Sequence, residues 1–320
     1  MIIVFMKRLG GVRAALAAVV LPLPMVSCAA VGGGPAASPS PGVLQIVTAA
    51  YPFQFIAERV AGAHAVVSNL TKPGAEPHDL ELTPRQVASI ARADLVVYQR
   101  GFQPVVDESV AQSENPHVLD AATVVPLKVH GDQDGSHDGH GHQTADRGPD
   151  PHMWLNPVHV AAIADAVADR LAALDTTGAA DYRANARRLD RQLTDLDVRF
   201  RAGLASCQRT EFITTHNAFG YLAERYRLTQ ISISGLSPDA ETSPARIAEV
   251  HQQALAHGVT TIFFETLVSP AVAEAVAGDL GLVTDVLDPL EGITAESRGT
   301  DYLTVMAANL AALRKANSCQ

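Results

Sequence analysis

EFITTHNAFGYLAERYRLTQISIS, residues 211–234, places a β-rich run, a histidine, helix or turn signals and a second β-rich run in direct succession. Runs rich in β-branched and aromatic residues, bounded by turn residues, read as strands. The rhythm continues in TTIFFE (260–265) and LVTDVL (282–287), each followed by helix or turn signals. It also occurs earlier, in LQIVTA (44–49), AVVSNL (65–70) and DLVVYQ (94–99), with helices expected near Phe53–Val60 and Pro84–Ala91. Strand, helix, strand repetition predicts parallel sheets covered by helices. The fold class is therefore α/β, with one parallel-sheet (βα) lobe in each half of the chain.

Between the halves lie two helical stretches. Asn156 and Pro157 supply a cap and a first-turn residue, and Val160, Ile163, Val167, Leu171 and Leu174 follow at helical spacing. After Thr176, Thr177 and Gly178, the chain runs without Gly or Pro to Gly203, with Leu189, Leu193, Leu196 and Phe200 forming an apolar stripe among charges. The expected organisation is a first lobe over 43–178, a linker helix over 179–206 acting as a stiff strut, and a second lobe over 207–320. At 320 residues the chain is long enough for two such cores.

The N-terminus reads as an address. Residues 1–27 hold Lys7, Arg8 and Arg13, then an apolar run from Ala14 to Val26, then small residues. That is the pattern of an export signal, because about 20 apolar residues are needed to span a bilayer. Residues 28–42 are Gly-, Pro- and Ser-rich and suit a flexible tether. With 47% hydrophobic and 18% charged residues, the remainder has the composition of a globular protein. The net charge of −10 becomes three units more negative once the leader's cations are removed, which disfavours nucleic acid as a partner.

The twelve histidines fall into distinct kinds. His130, His137, His140 and His142 sit with Asp132, Asp134 and Asp138 in a low-complexity stretch within a loop expected over 128–150, which suits loose, reversible binding of Zn²⁺, Cu²⁺ or Ni²⁺. His78, His152 and His216 stand singly among turn residues in GAEPHDLELTP, DPHMWLNP and TTHNAFGY. Ligands of parallel α/β sheets bind outside the carboxyl ends of the strands, where His216, Glu265 and Asp288 all fall. Cys207 and Cys319 make an even pair that an oxidising compartment would allow to bridge.

GAEPHDLELTP, DPHMWLNP, TTHNAFGYLAERY, GLSPDAETSPARIAEV, TTIFFETLVSP and VLDPLEGIT, in this order, resemble the substrate-binding lipoproteins of zinc and manganese ABC importers, over about residues 43–315. Met25, Val26, Ser27 and Cys28 likewise resemble a lipoprotein box, with Met25 where Leu is usual; the resemblance implies lipidation of Cys28 and anchoring on the extracytoplasmic face of the cell membrane. It further implies two lobes joined by one long helix, a single metal between them, and a monomer that passes its cargo to a membrane permease driven by a separate ATPase. Carried over by motif, the ligands are His78, His152, His216 and Asp288, with Glu265 or a water as alternatives for the fourth place.

Manganese-type relatives generally carry a carboxylate where this chain has His216, so three imidazoles point to Zn²⁺, and the His-rich loop is likewise a feature of the zinc branch. Mn²⁺ or another transition metal is the nearest alternative cargo. Two further alternatives are a metal-stabilised adhesin and a zinc hydrolase, the latter because three His and a water form an open catalytic site. The chain lacks HExxH and GxxxxGK[ST], and is not expected to be an enzyme.

Overall fold

The computed structural model describes residues 43–130, 148–240 and 242–320. The export signal, Cys28, the tether, and His137, His140 and His142 lie outside the described residues.

The first lobe contains β1 (Leu44–Thr48), α1 (Tyr51–Ala61), β2 (Ala65–Asn69), α2 (Pro84–Arg92), β3 (Leu95–Tyr98), α3 (Pro104–Ser113), β4 (Val118–Asp120) and the single turn α4 (Ala121–Val124). Helices α5 (Pro157–Leu174) and α6 (Ala179–Gly203) follow. The second lobe contains β5 (Glu211–Thr214), α7 (Gly220–Tyr226), β6 (Thr229–Ser232), α8 (Pro244–His257), β7 (Thr261–Phe264), α9 (Ala271–Leu280), β8 (Val283–Val286) and α10 (Tyr302–Ala316).

Local chemistry explains the boundaries. Asn156 accepts from the Val158 amide with Pro157 in the first turn of α5, as its sequence predicts. Thr83 and Gln86 form a reciprocal capping box on α2, and Ser243 caps α8 before Pro244. Gly258 and Gly281 adopt φ +62° and +66° to end α8 and α9.

The two sheets share one topology, β2-β1-β3-β4 and β6-β5-β7-β8, with every neighbouring pair parallel. In each, the chain leaves the first strand to one side and returns on the other. The switch points lie between β1 and β3 and between β5 and β7, where ligands of such sheets bind. Two features went unread in the sequence: β4, whose three residues are too few to show a periodicity, and α10.

Helix α6 spans 25 residues but is no free-standing strut. Tyr182, Leu189, Leu193, Leu196 and Phe200 are all at most 1% exposed and belong to one core with residues of α1, α5, α7 and α10. Each such side chain contributes about 1.5–3 kcal/mol of transfer free energy. Asp197 of α6 also accepts two hydrogen bonds from Arg225, at 2.9 Å each, and one from the Tyr226 hydroxyl at 3.1 Å, which ties α6 to α7. The linker is thus a shared spine, and hydrophobic packing holds the lobes to it. Two smaller cores lie between β5–β7 and α8 and α9, and on the far face of β1 and β3. Cys207 and Cys319 are joined in a disulfide that fastens the chain after α6 to the chain after α10. Among the described residues no helix is long and apolar enough to cross a membrane.

Candidate metal centre

Loops at the carboxyl ends of both sheets meet in a buried cluster of His78, His152, His216 and Glu291, whose ligand atoms all lie within 4.8 Å of one another. Three imidazole Nε2 atoms converge on one carboxylate oxygen: Glu291 Oε1 is 2.9 Å from His152, 3.3 Å from His78 and 3.6 Å from His216. The last distance is too long for a hydrogen bond, and His216 Nε2 and Glu291 Oε2 are buried without a hydrogen-bond partner. Uncompensated buried polar atoms are costly, so their presence marks a place built for something else to bind.

Each of the three histidines is held by its own loop. His78 follows β2; Gln103 Nε2 donates to Thr71 Oγ1 and Pro77 O, both at 3.0 Å, and Glu76 accepts from the His78 amide. His152 is fully buried in a loop fastened from the end of β3, where Gln99 Nε2 donates to Pro151 O at 2.7 Å. The neighbouring Trp154 donates through Nε1 to Pro289 O in the second lobe, and its carbonyl accepts from the Tyr302 hydroxyl of α10. His216 lies two residues beyond β5, at the switch point with β7, and its carbonyl accepts from Thr214 Oγ1 and Gln230 Nε2.

Two of the far ring nitrogens are also occupied. His152 Nδ1 donates to Asp150 Oδ1 and His216 Nδ1 to Glu265 Oε1, each at 2.7 Å. A carboxylate at Nδ1 holds the proton there, turns the ring toward the centre and raises its basicity. Burial alone would depress the pKa of His152 and His216, but Asp150 and Glu265, together with Glu291, raise both, His216 well above its ordinary value. Burial pushes Glu291 upward, yet its contacts with His152, His216 and His78 hold it well below the usual carboxylate range. Glu76 is pushed up to about 8 by burial and by the charge of Glu291.

The structure therefore brings His78, His152 and His216 together as expected, but the nearest carboxylate is Glu291 rather than Asp288. Asp288 is spent on the loop itself. Its Oδ1 accepts from the Leu290 amide at 2.8 Å, and its Oδ2 accepts from Ser297 Oγ at 3.0 Å and Thr266 Oγ1 at 3.3 Å. Asn309 of α10 clasps its backbone through both N–H and C=O. That turn drives Leu290 to φ +61°, a conformation that costs a branched residue about 1–2 kcal/mol, and reverses the chain to aim Glu291 at the histidines. Glu265, the other candidate, stands behind His216 rather than beside the other ligand atoms. A signal for Glu291 was present: an Asp before Pro readily forms a side-chain-capped turn, which displaces the functional carboxylate past the turn to the Glu of DPLEG.

His130, at the root of the His-rich stretch, has both ring nitrogens facing carboxylates: its Nδ1 is 2.7 Å from Asp150 Oδ2 and its Nε2 is 3.4 Å from Glu224 Oε2.

The profile of the family described as zinc-uptake complex component A, periplasmic, matches residues 46–316. A zinc-binding lipoprotein, AdcA of Streptococcus pneumoniae, is 36% identical over 285 residues, covering 86% of this chain and 56% of AdcA, so this chain spans little more than half of that relative. A high-affinity zinc uptake system protein of Bacillus subtilis, ZnuA, is 33% identical over 277 residues, covering 85% of this chain and 86% of that protein. The crystal structure of the Zn(II)-bound ZnuA-like domain of the S. pneumoniae protein superposes with a TM-score of 0.71 at 33% identity, covering 86% of this chain and 99% of that one.

Proposed function

Because this chain belongs to the family of periplasmic zinc-uptake components, we propose that it captures Zn²⁺ outside the cytoplasm and surrenders it to the permease of an ABC-type importer. The carrying observation is the convergence of three imidazole Nε2 atoms on the carboxylate of Glu291, with His216 Nε2 and Glu291 Oε2 unpartnered. Three nitrogens and one carboxylate oxygen are a donor set that Zn²⁺ takes tetrahedrally. With bonds of about 2.0–2.1 Å the ligand atoms would stand about 3.4 Å apart, close to the 2.9, 3.3 and 3.6 Å that already separate Glu291 Oε1 from the three Nε2 atoms. Two carboxylates behind the rings, on Asp150 and Glu265, prepare the imidazoles for a dication.

The donor set also argues against a hydrolase. A catalytic zinc keeps one position open for water, whereas four protein ligands close the site. With ligands from both lobes, the ion binds a closed arrangement better than an open one, and the α6 spine restricts opening to a small tilt or a loop movement. The reading extends to the N-terminus, where Cys28 carries a lipid that holds the protein on the extracytoplasmic face, working as a monomer. His137, His140 and His142 form an accessory site that samples metal weakly before transfer.

The test is competition binding of Zn²⁺, Mn²⁺, Cu²⁺ and Ni²⁺ to the full chain, with His216→Glu in parallel. The reading expects Zn²⁺ to be preferred over Mn²⁺, with His216→Glu shifting the balance toward Mn²⁺. A preference of the unmodified protein for Mn²⁺ refutes the assignment.

A further inference from the structure

The chain on either side of the His-rich segment does not leave the body of the protein freely. Asp150 N donates to Lys128 O at 2.7 Å, Lys128 N donates to the Tyr221 hydroxyl at 2.8 Å, and that hydroxyl donates to Asp150 O at 3.1 Å. Lys128 Nζ pairs with Glu224 at 2.5 and 2.7 Å. Both ends of the segment are thus fastened to α7 of the second lobe. Within this clasp His130, its side chain 14% exposed, stacks edge-on against Tyr221 at 4.4 Å and presents Nδ1 to the fully buried Asp150. The two Asp150 oxygens have different partners: Oδ2 takes His130, and Oδ1 takes the amide and Nδ1 of His152.

A second observation shows that this place is shaped for the pair. A Cβ on Gly220 would stand 2.6 Å from His130 Cγ and Nδ1 and 2.8 Å from Asp150 Oδ2. Real Cβ atoms do not approach so closely, so the first residue of α7 has room for nothing larger than hydrogen.

We propose that His130 is a positioning residue of the metal centre: by holding Asp150 Oδ2 it fixes the Oδ1 lone pair that orients His152, and through Glu224 it ties that alignment to the second lobe. The inference rests on the zinc-capture reading and adds a residue two hydrogen bonds removed from the ligand His152. A carboxylate free to rotate would present its lone pair to His152 for only part of the time, and loss of such outer partners lowers metal affinity by about 10–100-fold. His130 is then not part of a metal-sampling loop; it is where that loop's root meets the tight site.

The test is Zn²⁺ affinity of the full chain, by competition with a chromophoric chelator at fixed pH, with far-UV circular dichroism confirming the fold. His130→Ala should weaken binding about tenfold, and His130→Gln, whose amide can still donate to Asp150, should recover to within about threefold. Gly220→Ala, which pushes on the pair from α7, should reproduce the loss without touching a ligand. In an Asp150→Asn background, His130→Ala should add less than about twofold, since the path through Asp150 is already cut. Affinity of His130→Ala within twofold of the unmodified chain, or a loss that multiplies in full with that of Asp150→Asn, overturns the inference. If His216→Ala loses tight binding while His130→Ala keeps it, the proposed function survives and this inference does not. Equal, weak binding by the unmodified chain and His216→Ala refutes both.

Discussion

Asp288 and Glu291 sit three residues apart in one loop and have opposite jobs, so two substitutions should separate them. Glu291→Gln keeps the shape and removes the charge on which three imidazoles converge at 2.9, 3.3 and 3.6 Å. Withdrawing an anionic partner from a buried, charged cluster costs about 3–5 kcal/mol, which corresponds to a loss in Zn²⁺ affinity of about 10²–10³-fold or more. The metal-free fold should lose a smaller part of this, because the anion faces the three histidines before an ion arrives, while the amide fits the same space and costs less to bury than a carboxylate. Asp288→Ala has the reverse profile. It leaves the Leu290 amide, Ser297 Oγ and Thr266 Oγ1 without their acceptor in a site 2% exposed, and releases the αL turn at Leu290. Two or three buried donors at about 1 kcal/mol each place the stability cost near 2–3 kcal/mol, a Tm drop of about 3–5 °C for a protein of this size. Chelator competition reads the first quantity and metal-free thermal unfolding the second. If Asp288→Ala abolished binding with an unchanged Tm while Glu291→Gln still bound within threefold, the assignment of the two carboxylates would be reversed.

Glu265→Gln should lower Zn²⁺ affinity by about 10–100-fold, because the carboxylate that turns and charges His216 is lost; an isothermal titration showing no change would remove Glu265 from the centre. Reducing the Cys207–Cys319 bridge, whose ends are 112 positions apart in sequence, should cost about 4–5 kcal/mol by the loop-entropy argument and shift the urea midpoint while leaving Zn²⁺ affinity unaltered. Asp197 is pushed up by burial but held below its ordinary pKa chiefly by Arg225, so its contribution is present above the unfolded carboxylate value near 3.9 and fades as pH falls through the lower folded value. Asp197→Asn should therefore destabilise at pH 7 by about 1–3 kcal/mol and the deficit should shrink in strong acid, as measured by denaturant unfolding over pH 2–7. Deleting residues 131–147, which spares His130, should slow metal loading in stopped flow yet leave the equilibrium affinity within about threefold; an affinity loss matching that of His216→Ala would contradict an accessory role.

The α/β repeat, the cap and first turn of α5, and three of the four clustered side chains were legible in the sequence because each is a local property. Strand runs follow β-propensity, Asn156 and Pro157 act within one turn, and His216 needs only to follow a strand to stand at a sheet's carboxyl edge. The apolar stripe of α6 was equally visible, but a stripe states that a face is buried and not against what. Only the packed structure set it against α1, α5, α7 and α10, turning an expected strut into a spine. The fourth carboxylate is a similar case. Asp288, Glu265 and Glu291 are interchangeable by residue type and by nearness to a strand end. What separates them is the direction of a turn capped by Asp288 and bent at Leu290, and the hydrogen bond that commits Glu265 to the back of His216. His130 shows the limit most sharply, since a low-complexity neighbourhood assigned it to the loop while a gap above Gly220, closed by residues 90 positions distant, assigned it to the wall behind the metal centre. Composition and periodicity thus determined which segments fold and which residue types face the sheets' carboxyl ends. Which atoms meet there depended on long-range packing, because a side chain's partners are chosen by the space and the unpaired donors that distant segments leave.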